Sequence, residues 1–116
     1  MFWFRLALVV ALSACAGDPA ERPATWSYLH AAIIAPSCAT SSCHSDRAAT
    51  AGVVLVDPDT AFQTLIDRQY VIPGDEGSTL LLLLEGDERR RMPPDAPLPA
   101  ADIDLVRTWI EQGAVK

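Results

Sequence analysis

The chemistry available to this sequence is concentrated in one short stretch, Pro36-Ser37-Cys38-Ala39-Thr40-Ser41-Ser42-Cys43-His44-Ser45-Asp46. Two thiols stand five positions apart, and an imidazole follows the second directly. Such a loop can hold a haem, a metal ion, or only its own disulfide. The shorter pattern Cys-x-x-Cys-His marks covalent c-type haem attachment. There each sulfur adds to a vinyl group on one of two adjacent pyrroles, and the next residue presents its imidazole to the iron from the same side. Here the spacer has four residues, two more than that pattern, while Cys43 and His44 keep their mutual geometry. Ala39 to Ser42 are small and flexible enough to bulge.

The competing occupants make different demands. A Cys38–Cys43 disulfide is sterically open across a flexible loop, although a small loop stabilises a fold less than a long-range bridge. Zinc needs a fourth ligand, and the other histidine is His30, which reads as a surface or core polar residue. Nucleophilic catalysis needs a base and an orienting group, and neither stands out for Cys38 or Cys43. A haem calls for a second axial ligand, and in electron carriers methionine is the usual one, because its soft thioether raises the potential. Apart from Met1 the chain has one methionine, Met92, within Arg91-Met92-Pro93-Pro94. Alone, Met92 would read as core filler. Beside the cysteine loop it becomes the axial candidate, with prolines to fix its direction. Arg89-Arg90-Arg91 suits haem propionates or a partner's surface, but a solvated loop is the commoner reading of such a run.

The start of the chain bears on compartment. Met1 to Arg5 carries one positive charge, Leu6 to Leu12 is apolar, and Ser13-Ala14-Cys15 follows, which describes a secretory signal. The apolar run is too short for a transmembrane helix, which needs ~20 residues. Leu12-Ser13-Ala14-Cys15 resembles a bacterial lipobox, which implies lipidation at Cys15 and stable anchoring by its acyl chains. The expected organisation is a lipoprotein signal over 1–14, a lipid-anchored tether over 15–24, and a folded domain over 25–116. Ala16 after the cysteine, rather than Asp, points to the outer membrane by enteric-type sorting. Without Arg5, eight basic residues face fifteen acidic ones. That balance argues against a nucleic-acid partner and permits docking to a protein with a basic face.

The elements that must position the loop read as helices. Thr25 can cap a helix running through Ala35, with Trp26, Leu29 and Ile33 near helical spacing, and Pro36 is expected to end it. Ala51 to Val56 reads as extended coil, having no second strand to pair with. Asp57-Pro58 predicts a capped helix from Pro58 to about Asp67. Ile72 to Asp75 is a turn. The leucine run within Ser78 to Glu85 is ambiguous by periodicity, and the helical neighbours favour a short buried helix. Pro99 opens a last helix with Ile103, Val106 and Ile110 on one face and Gly113 at its stop. Trp26 and Trp109 are expected to pack where the first and last helices cross. The fold class is therefore all-α, three to four short helices with long loops. So small a chain is expected to bury little apolar surface unaided and to need a disulfide, a metal or a cofactor in its core.

Five segments, PSCATSSCH, AGVVL, VIPGD followed by STLL, RMPPDAPL and ADIDLVRTWIEQGA, occur in the order found in a known family. Together the chain resembles the small cytochrome c-like domains of exported bacterial proteins, found especially in myxobacteria and planctomycetes. The resemblance implies a class I-like helical fold around one covalent haem c. It implies thioether links at Cys38 and Cys43 and axial ligation by His44 and Met92. The expected role is one-electron transfer at the periplasm-facing cell envelope, with a redox partner protein and a lipid anchor in the membrane. With both axial positions filled, no enzyme activity is expected; without Met92 the iron would be five-coordinate. The alternative is a haem-free lipoprotein interaction module stapled by a Cys38–Cys43 disulfide.

Overall fold

The computed structural model describes residues 21–87 and 89–116. The signal over 1–14, the lipidation candidate Cys15 and the tether up to residue 20 lie outside the described residues. Among the described residues the architecture is helical, with no strand. None of these helices is long and apolar enough to cross a membrane.

The chain opens with a continuous helical rod: α1 (Trp26–Leu29), a π-helical stretch (His30–Ile34) and α2 (Ala35–Cys38). The rod therefore passes through Pro36, where the sequence predicts a stop. Proline in a regular helix loses an i→i−4 bond and clashes with the carbonyl it would have bonded. The π stretch widens the ladder just before Pro36. Pro36 is the second residue of α2, which directly follows that stretch. The consequence is positional: the helix delivers Cys38 at its end. One face of the rod, Trp26, Leu29, His30, Ile33 and Ile34, is buried.

The second helix, α3 (Pro58–Asp67), begins where the sequence predicts, with Asp57 Oδ1 accepting from the Thr60 amide at 2.8 Å. It buries Ala61 and Leu65. The leucine run is helical, α4 (Thr79–Leu84), and it buries Leu81 and Leu84 while leaving Leu82 exposed. Ser78 precedes α4 without capping it. Its buried hydroxyl accepts from the Ile72 amide at 3.0 Å and donates to the Asp75 carbonyl at 2.7 Å, which pins the 72–75 turn. The last helix, α5 (Ala100–Glu111), follows Pro99 and ends ahead of Gly113, whose φ of +106° suits a residue without Cβ.

Trp26 and Trp109 meet with ring centroids 5.3 Å apart, where the first and last helices pack. Each indole N–H finds a carbonyl at 2.9 Å, Pro58 for Trp26 and Val115 for Trp109. Arg22 pairs with Asp102 at 2.6 Å, and Ala24 packs on the core, so the chain is already docked before α1. The core closes on protein side chains: Leu29, Ile33, Leu81, Leu84, Val106 and Ile110 are each at most 1% exposed. The aromatic cluster of Trp26, Phe62 and Trp109 supplies the bulk that short helices lack.

Candidate functional site

The widened spacer does not separate the three reactive side chains. The Cys43 amide donates to the Thr40 carbonyl at 3.0 Å, and the His44 amide donates to the Cys38 carbonyl at 3.0 Å. The two extra residues are thus taken up in a turn, and His44 is drawn back to the end of α2. Both cysteines are unbonded and half-buried. Desolvation pushes the Cys38 thiol up to about 11, with the neighbouring Cys43 sulfur adding to the effect. At neutral pH Cys38 is therefore a thiol. A thiol held un-ionised in this way is a poor zinc ligand and a poor nucleophile at rest.

Beyond His44 the chain doubles back. Ala49, Ala51 and Gly52 have φ of +40°, +56° and +70°, and the Gly52 amide donates to the Ala49 carbonyl at 2.7 Å. Residues in the left-handed region turn the chain sharply, at a cost that only glycine escapes. The result is that Val53 returns to the imidazole: His44 Nδ1 lies 3.0 Å from the Val53 carbonyl oxygen. A carbonyl only accepts, so the proton sits on Nδ1. In the neutral ring the lone pair is then left on Nε2. An imidazole held this way is the usual form of a metal-bound histidine, whose other nitrogen donates to a carbonyl or carboxylate. The His44 carbonyl also accepts from the Leu55 amide at 2.8 Å, so the segment 53–55 grips His44 by both backbone and ring.

His30 joins this network from the other side. It is 6% exposed, and its Nε2 donates to the Leu55 carbonyl at 2.9 Å. From sequence alone His30 reads as a surface or core polar residue outside the site. The available signal was its place on the buried stripe, four residues after Trp26 and three before Ile33, because a buried imidazole needs a partner.

Met92 stands on a separate element. Its amide donates to the Leu83 carbonyl at 2.9 Å, which hangs the loop on the C-terminal end of α4. Met92 is half-buried, and the peptide bond to Pro93 is cis. Arg91 donates to the Pro93 and Pro94 carbonyls at 3.3 Å, bracing the same loop. Among the described residues no hydrogen bond joins Met92 to the cysteine loop. The structure thus gathers Cys38, Cys43 and His44, and sets Met92 on the α4 side. Arg89 and Arg90 border a hollow of about 440 Å3 with Leu82, Leu83 and Gly86. Among the described residues no group of three or more His, Cys, Asp or Glu side chains could hold a metal ion. A macrocycle that brings its own four nitrogens needs only axial ligands from the protein. The donor set, two thiols, one oriented imidazole and one thioether, fits a haem better than a bare ion.

Comparison with known proteins agrees with this chemistry. The family model described as planctomycete cytochrome C matches residues 41–96. The matched segment takes in Cys43, His44, α3, α4 and Met92, and leaves Cys38 and α5 outside. No curated protein and no solved structure matches the chain. Over residues 41–96 this match supports a cytochrome c-like domain of the planctomycete type, and cytochrome c domains in general bind haem c.

Proposed function

We propose that this protein is a monohaem c-type cytochrome that transfers single electrons at the bacterial cell envelope. One observation carries the reading: His44 is held with its Nδ1 proton on the Val53 carbonyl, which leaves the lone pair on Nε2, and Cys38 and Cys43 in the same loop are free thiols. Cys38 and Cys43 are the residues that would form the thioether links, and His44 Nε2 and the Met92 sulfur the residues that would ligate iron. When bound, the haem supplies a one-electron iron couple.

The chain's own residues do the rest. The 53–55 segment fixes the imidazole's direction and its tautomer through the Nδ1 hydrogen bond. The hang of Met92 on Leu83 sets where the thioether can reach. Leu82 and Leu83 give the neighbouring hollow an apolar wall, and Arg89 and Arg90 give it cations suited to carboxylates such as propionates. With His44 and Met92 both holding the iron, no coordination site would be left for a substrate, and the role would be that of a carrier rather than an enzyme. The partner is a redox protein, and the acidic surface suits one with a basic face. Export through the 1–14 signal and lipidation at Cys15 would hold the domain facing the periplasm, in the outer membrane by the sorting argument.

A second reading has one observation in its favour. Leu29, Ile33, Leu81, Leu84 and Ile110 bury one another in a protein-lined cluster, which a haem-free interaction module stapled by Cys38 and Cys43 could use as its core. Expression of the full chain with a c-type maturation system separates the two. The cytochrome reading expects haem that stays with the denatured polypeptide. A colourless protein with a Cys38–Cys43 disulfide refutes it and selects the module.

A further inference from the structure

We propose that His30 is a positioning residue for the axial imidazole of His44. The two rings are linked through one short piece of backbone. His30 Nε2 donates to the Leu55 carbonyl at 2.9 Å, the Leu55 amide donates to the His44 carbonyl at 2.8 Å, and the Val53 carbonyl accepts from His44 Nδ1 at 3.0 Å. The 53–55 segment belongs to no helix, so its placement depends on these bonds and on the burial of Val53 and Leu55. His30 is the only one of these anchors that comes from the opening helical rod. It is the first residue of the π-helical stretch, a departure from regular helix that often marks functional positions.

Burial makes the contact consequential. His30 is 6% exposed, and Trp26 covers it with ring centroids 5.5 Å apart. Removal of the donor leaves the Leu55 carbonyl without its side-chain partner in a place water reaches poorly. The segment then shifts or loosens, and with it the carbonyl that orients His44. A weaker Nδ1 hydrogen bond makes the imidazole a poorer electron donor, which favours the reduced iron. Partners one step removed from the metal act in this way on the ligands they orient.

The inference rests on the haem reading for its redox consequence, but its geometric part does not, and the experiment keeps the two apart. His30→Leu removes the donor. His30→Asn keeps an amide one bond too short to reach Leu55. His30→Gln places an amide nitrogen near the position of the imidazole Nε2. In the full chain, nitrogen-15 NMR follows the His44 Nδ1–H signal, and optical titration follows the ferrous to ferric ratio. The wild type should show a solvent-protected Nδ1–H signal. In the Leu and Asn variants that signal should broaden or vanish. At the potential that half-reduces the wild type, their ferrous to ferric ratio should rise about threefold, ~30 mV at 59 mV per decade for one electron. The Gln variant should restore both. Folded Leu and Asn variants with an unchanged His44 signal and an unchanged ratio overturn the proposal, as does a Gln variant as perturbed as the Leu variant. Should Leu and Asn both fail to fold, the Gln variant decides, retention of the signal supporting the role and its loss refuting it. A wild-type chain without haem refutes the cytochrome reading instead, and the NMR signal then decides the role of His30 alone.

Discussion

The Cys38 thiol gives a sharp test of how the loop is built. Burial first, and the nearby Cys43 sulfur second, raise its pKa from 9.0 to about 11. At pH 8 the thiolate fraction is then ~0.1% rather than ~10%, a roughly hundredfold loss of the reactive form. A more basic thiolate is also more nucleophilic, with a Brønsted slope of about 0.4–0.5, which returns close to tenfold over two units. Alkylation of Cys38 at pH 8 should therefore run roughly tenfold slower than that of an ordinary thiol, before any hindrance from the end of α2. The assay is mass-resolved labelling by iodoacetamide of the full chain produced without haem, from pH 7 to 11. The rate at Cys38 should keep rising through pH 10, with no plateau near 9. The same shift acts on stability. A folded-state pKa above the unfolded value means the contribution is fully present below about pH 9 and is lost as pH rises toward 11. At ~1.4 kcal/mol per unit the loss is at most about 3 kcal/mol, and Cys38→Ala should flatten that part of the profile. A plateau at or below pH 9, or an alkaline profile indifferent to Cys38→Ala, would refute the desolvated thiol.

Three further outcomes follow from the packing and the site. Ser78→Ala strips the hydroxyl partner from the Ile72 amide and leaves the Asp75 carbonyl with the Ser78 amide alone. It should cost about 1–3 kcal/mol in urea unfolding, and a loss well under that range would mean the 72–75 turn holds without it. Ile33→Ala, at a fully buried position, should cost roughly 2–5 kcal/mol by the same measurement, with near-neutrality showing that the rod does not pack as described. In the haem-loaded protein Met92→Ala should shift the ferric spectrum and lower the potential, whereas an unchanged spectrum removes Met92 from the iron.

Much of the fold is legible because its signals are local. Asp57-Pro58 announces α3 by capping chemistry, and Pro99 and Gly113 bracket α5. The Trp26–Trp109 contact follows from two apolar faces that have to meet. What stays hidden is set by tertiary structure. Pro36 reads as a stop because nothing in His30 to Ile34 advertises a π stretch. The coil at 53–55 is legible, but its function as the acceptor for His44 depends on the left-handed residues at 49, 51 and 52. Alanine at two of those positions disguises a turn that glycine would have marked. His30 is hidden for the same reason, since its partner lies 25 positions away. In the site itself, residue types and spacing point to Cys38, Cys43, His44 and Met92. The closure of the widened loop through the Cys38 carbonyl is set by the turn at Thr40 to Cys43, which no residue type there advertises.

The most direct test is peptide-level mass analysis of the native, exported chain across residues 38–44. One tetrapyrrole joined through thioethers to both Cys38 and Cys43 is expected. A peptide carrying only a bond between the two sulfurs, or two unmodified thiols, would contradict it.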